Sequence, residues 1–60
     1  MLYENIADLA EKKGMSLSEV ERKSNLSKGV ISKWKKASPN LDSLSAVANT
    51  LGVTVNRLIR

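Results

Sequence analysis

The stretch SLSEVERKSNLSKGVISKWKK, Ser16 to Lys36, decides how this chain folds. Its opening, Ser16-Leu17-Ser18-Glu19, has the form of a capping box: the serine oxygen can take a free amide of the first helical turn while the glutamate reaches back. Leu17, Val20, Glu21 and Ser24 then return at helical spacing and define an inward face. Two of these four are polar, a conflict that tertiary contacts must resolve. Ser24-Asn25-Leu26-Ser27 breaks the pattern. Ser27 reads as the N-cap of the next helix, with Leu26 placed to staple to Ile31. In that helix Val30, Ile31 and Trp34 share one side, while Lys28, Gly29, Ser32, Lys33 and Lys36 share the other. A joint of about three or four residues is too short for two helices to run antiparallel over any length. A steep crossing is expected, which is the helix-turn-helix arrangement.

The flanking segments are helical in pattern as well. Upstream, Leu2, Tyr3, Ile6, Leu9 and Ala10 fall on one arc, with Glu4, Asp8 and Glu11 opposite, and Gly14 supplies a left-handed stop. Downstream, Pro39 and its neighbours from Ala37 interrupt the chain, and Asn40 caps a stripe of Leu41, Leu44, Val47, Ala48 and Leu51 that ends at Gly52. Thr54 opens a fifth helix, with Val53 stapling to Leu58. No segment shows the alternation of a strand. The expected architecture is all-α, with five short helices. That last helix stops at Arg60 and reads as cut short, as it would be in the front part of a longer regulator.

Length and composition narrow the chemistry. Sixty residues suit a single domain, 1–60, and folding a chain of this size hides only about 60% of the surface it exposes when unfolded. The chain has no cysteine and no histidine, which removes disulfides, thiolate nucleophiles, the commonest metal ligand and the commonest general base. A triad of the Ser-His-Asp kind cannot be assembled. No catalytic residue, metal site, cofactor or small-molecule substrate is expected. No apolar run approaches the eighteen or so residues of a membrane span, and no signal peptide opens the chain. A soluble, cytoplasmic protein without a membrane partner is the expectation.

The formal net charge of +4 is unevenly placed. Arg22, Lys23, Lys28, Lys33, Lys35 and Lys36 lie in one acid-free segment, while the rest of the chain carries four cations and six acids. Such segregation gives a directional field able to orient a polyanion before contact. The outer side of the third helix adds donors suited to base edges: lysine can approach guanine O6 and N7, and serine can donate or accept at several bases. On charge alone, a solvated lysine face is the competing explanation. Trp34 could stack on a base, but its central place on the apolar side assigns it to the core. Gly29 is open to two readings, either a close backbone approach to DNA or a neutral residue in the first helical turn.

Taken together, KKGMSLSEVERKSNLSKGVISKWKKASPNLDSLSAVANTLGVTVNRLI, Lys12 to Ile59, resembles the Cro/CI-type (XRE) family of phage and bacterial repressors. The resemblance rests on the joint order of Gly14, Ser16 to Val20, Val30-Ile31-Ser32, Pro39, and Leu51-Gly52-Val53 with Leu58. It implies a compact five-helix lambda-repressor-like domain whose second and third helices form the helix-turn-helix. It also implies a repressor that regulates transcription in the cytoplasm of a bacterial cell, or of its host if phage-encoded. The third helix would read a double-stranded DNA operator in the major groove, usually as a homodimer on DNA from a chain that can be monomeric in isolation.

By position, base reading would fall to Lys28, Gly29, Ser32 and Lys33. Phosphate binding would fall to Leu17 and Ser18 at the start of the second helix, and to Lys35, Lys36, Ser38 and Asn40 on the way to the fourth. Three departures stand out. Glu21 occupies a place where the family usually has alanine or another small residue, so its carboxylate must reach solvent, a cation or a backbone donor. Asn25 replaces the turn glycine and tolerates the same conformation. Gly29 offers no side chain at a common reading position, which shifts weight to Lys28, Ser32, Lys33 and DNA shape. The alternative from another class is a protein-interaction adaptor, antitoxin-like or anti-repressor, that uses the apolar residues of the fourth and fifth helices; Val55, Leu58 and Ile59 near the end could also form a small self-association surface, which is compatible with DNA binding.

Overall fold

The computed structural model describes residues 2–60. Five helices follow one another: α1 (Leu2–Lys12), α2 (Leu17–Lys23), α3 (Val30–Lys33), α4 (Leu41–Leu51) and α5 (Val55–Ile59). No strand occurs among the described residues. The caps are largely those that the side-chain chemistry dictates. Ser16 Oγ accepts from the Glu19 amide, Asn40 Oδ1 from Ser43 and Thr54 Oγ1 from Arg57. The α2 terminus closes as a Schellman turn: the Leu26 amide donates to Glu21 O at 2.8 Å and the Asn25 amide to Arg22 O at 3.1 Å. Asn25 sits at φ +60°, the left-handed conformation that asparagine tolerates better than most residues.

Helix α3 departs from the pattern. It does not start at Ser27 but at Val30, and it spans only 4 residues. Ser27 contributes its backbone carbonyl, which accepts from the Val30 amide at 3.2 Å, instead of a side-chain cap. Gly29 at φ +85°, ψ −2° has the third-residue geometry of a type II turn, and Ser27 to Val30 form that turn. Beyond Lys33 the coil continues through tighter bonds of the i to i+3 kind, from Trp34 to Ile31 and from Lys36 to Lys33. Lys28 and Gly29 therefore precede the helix, and Lys36 follows it.

The core is assembled from all five elements: Ile6, Leu9 and Ala10 of α1, Val20 of α2, Ile31 of α3 with Trp34 just past it, Leu44, Val47, Ala48 and Leu51 of α4, and Leu58 of α5. Two polar links join elements distant in sequence. Ser24 Oγ lies 2.8 Å from Thr50 Oγ1, so a small buried hydroxyl finds a partner where α2 meets α4. Asn5 Nδ2 donates to the carbonyls of Leu58 at 2.7 Å and Arg60 at 2.6 Å, satisfying acceptors at the end of α5. Every buried side-chain nitrogen and oxygen among the described residues is hydrogen-bonded.

Two apolar assignments are corrected. Leu41 does not continue the α4 stripe inward; it stands 69% exposed at the first helical position, where the neighbouring helices no longer cover it. Leu58 is fully buried and Val55 packs against the core, so the self-association patch reduces to Ile59. A paired substitution tests this placement within one helix. Leu51→Ala should cost about 2–5 kcal/mol by leaving a cavity, whereas Leu41→Ala should change stability by no more than about 0.5 kcal/mol, as read by urea denaturation.

Candidate nucleic-acid interface

The segment around α3 is built from the inside outward. Ile31 is fully buried and Trp34 is 8% exposed, so the apolar side of the segment is locked into the core. One residue on from each anchor the chain turns to solvent, and Ser32, Lys33, Lys35 and Lys36 are all exposed. Lys28 is exposed at the tip of the preceding turn, and Gly29 beside it is half-buried. A short, rigid element thus presents Lys28, Ser32 and Lys33 on its free flank.

Glu21 explains how the head of this element is held. The side chain is 3% exposed. Its Oε1 accepts from the Gly29 amide at 2.9 Å and its Oε2 from the Ile31 amide at 2.9 Å. Of the outlets open to it in the sequence, backbone donors are the one taken. The carboxylate stands in for the side-chain cap that α3 lacks, since Gly29 has no side chain to supply one. One oxygen meets the buried Ile31 amide and the other the part-buried Gly29 amide, and these bonds offset the cost of enclosing the carboxylate.

The reason for glycine at position 29 is conformational. A φ of +85° is strained for residues that carry a Cβ, yet a Cβ built there meets no atom within 4 Å. Of the two readings open in the sequence, the neutral first-turn residue does not describe this position, because Gly29 precedes the helix. The turn itself requires the glycine.

The phosphate candidates fall into two groups. Ser18 lines one open recess with Lys28, a candidate for base reading, and with Ser16, Arg22, Leu26 and the acidic pair Glu19 and Glu21. The start of α2 is thereby brought beside the turn into α3. Arg22 belongs to this recess and was not singled out by position, although the acid-free segment includes it. Leu17 is half-buried against the core and has an apolar side chain, so its backbone is the polar group it has to offer an anion. Lys35, Lys36, Ser38 and Asn40 lie outside the recess, and all four are exposed. Asn40 commits its side-chain oxygen to the Ser43 amide, which leaves Nδ2 as its donor. Lys35 Nζ lies 4.7 Å from the centroid of the Tyr3 ring, a cation–π contact that draws this lysine toward α1.

Of the cations in the acid-free segment, Lys23 is paired with Glu19 at 3.6 Å. No salt bridge engages Arg22, Lys28, Lys33, Lys35 or Lys36 among the described residues. Their positive charge is available to an external anion. The acids of α1 face solvent, and Asp8 pairs with Lys12 at 3.2 Å.

A helix-turn-helix family model matches residues 6–58, nearly the whole chain. The chain belongs to the helix-turn-helix family of XRE type. As an XRE-type domain it is a DNA-binding regulator, and its five-helix architecture is consistent with the lambda-repressor-like fold. No curated protein matches it at a significant level. No helix of the XRE domain, among the described residues, is long and apolar enough to cross a membrane.

The open space around Gly29 separates backbone strain from packing. Gly29→Ala should destabilise the domain by about 1–2 kcal/mol, and Gly29→Asn by less, because asparagine accepts the left-handed region more readily. Equal losses for both in thermal denaturation would point to a packing role instead.

Proposed function

We propose that this domain is the sequence-specific, operator-binding part of a transcriptional repressor, and that it inserts α3 and the turn before it into the major groove of double-stranded DNA. The observation that carries the reading is the division of a single short element: Ile31 and Trp34 buried, with Lys28, Ser32 and Lys33 exposed on its other flank. Lys28 and Lys33 would donate to guanine edges, and Ser32 to a base or a bridging water. Gly29 would read nothing by itself, although its turn sets where Lys28 points.

Phosphate contacts would come from the Leu17 backbone, Ser18, Lys35, Lys36, Ser38 and Asn40, fixing register without reading sequence. With so few reading side chains, groove shape would carry part of the specificity. A homodimer would set two copies of α3 about 34 Å apart, one DNA turn, on a palindromic operator. The reading calls for no cofactor, metal or catalysis. The burial of Leu58 narrows the apolar surface that α5 offers to a protein partner.

Selection of bound duplexes from a random pool, followed by titration at several salt concentrations, tests this. With about four to six phosphates neutralised per domain, affinity should fall with a log–log slope of about −0.9 per phosphate. Lys36→Ala should weaken operator and random DNA alike and make the slope shallower by about one phosphate. Lys28→Ala or Lys33→Ala should cost roughly 1–3 kcal/mol on the operator alone. Equal losses on both DNAs for the latter pair would refute their reading role, and salt-independent behaviour would refute the interface.

A further inference from the structure

Resting on the DNA-reading assignment above, we infer that Glu21 is a positioning residue for operator discrimination, acting through Lys28 and the head of α3 without touching DNA. Three hydrogen bonds converge on this one residue. Its main-chain carbonyl takes the Leu26 amide and closes α2, while its two carboxylate oxygens take the Gly29 and Ile31 amides and open α3. The residues from Leu26 to Ile31 are therefore pinned at three points to a single site on α2. Lys28 lies between the first and second of these points. The Ser27–Val30 turn bond, which Gly29 makes possible, spans it as well.

The chemistry of the clasp suits this role better than that of a packing residue. A carboxylate accepts only, and here it presents one oxygen to each of two donors that are two residues apart. Glutamine would oppose an N–H to an N–H at one of them. Aspartate would keep the charge but lose about one bond length of reach. The clasp also occupies amides at the start of α3 with an internal anion, so a DNA phosphate would compete with a covalently tethered carboxylate there. Contacts at this end are left to side chains, above all Lys28.

Native-state amide exchange on the wild type and operator preference of Glu21→Gln, Glu21→Asp and Glu21→Ala test the inference together. In the wild type, the Gly29 and Ile31 amides should be protected well above exposed turn amides such as Lys28. At a temperature where circular dichroism shows each variant folded, Glu21→Gln should lower the ratio of operator to random-duplex affinity by on the order of tenfold, comparable to one mismatched base pair. The salt slope should stay unchanged. Glu21→Asp should recover part of the ratio at most.

A variant that binds both DNAs more weakly by the same factor, with the ratio intact, would show a merely structural role and overturn the inference. Should all three variants fail to fold, the wild-type exchange still decides, since unprotected Gly29 and Ile31 amides would overturn the clasp on which the inference stands. A wild type without any operator preference would remove the DNA reading and this inference with it. Protected amides in that case would locate the failure in the function and not in the clasp.

Discussion

A helix of 4 residues cannot maintain itself, because ordering the first turn fixes several dihedral angles for a single hydrogen bond. The element that faces outward in this domain is such a helix, so its existence depends on contacts from elsewhere. The contact at its head is the Glu21 carboxylate, shared between the Gly29 and Ile31 amides. The contacts beneath it are Ile31 and Trp34, which enter a core formed by the other helices. With one end clasped and one face buried, the remaining face is both rigid and free, which is what a surface complementary to a DNA groove requires. The same argument explains the sharp return to solvent at Ser32 and Lys33, since a helix this short has only one buried side to give.

Polar residues inside the domain act at junctions. Ser24 bonds to Thr50 between α2 and α4, Asn5 closes the end of α5 from α1, and Glu21 joins α2 to α3. Apolar contacts between short helices have little directional preference, whereas these bonds are satisfied in only one relative placement. A small domain hides too little surface to rely on burial alone for a unique arrangement. Arg22, Lys28, Lys33, Lys35 and Lys36, which no salt bridge engages among the described residues, lie on and around α3, so the directional part of the fold and the directional part of the field coincide.

Much of this was legible from residue types. The caps at Ser16, Asn40 and Thr54, the left-handed Asn25, and the inward stripes of α1 and α2 depend on neighbours within a turn, and local patterns report local physics. The candidate site was legible as a set of exposed cations, because their acid-free run is contiguous in sequence. What could not be read was the start of α3. Ser27 has the chemistry of a cap, but the acceptor that wins is a carboxylate 8 residues before Gly29 and 10 before Ile31. Leu41 failed for a related reason: periodicity places it on the stripe, but whether anything covers the first position of α4 depends on where other helices end.

The amino-acid order determined that there would be five helices, which residues of α1 and α2 would face inward, and that positive charge would concentrate between Arg22 and Lys36. These are consequences of spacing, caps and side-chain charge, which act over a few residues. The tertiary structure alone decided that Glu21 would be an internal cap instead of an enclosed liability, that Gly29 would occupy a turn instead of a helix, and that Leu58 would be unavailable to a partner. Each of those outcomes depends on which groups meet across the fold, where hydrogen bonding must be completed between segments that no local pattern connects.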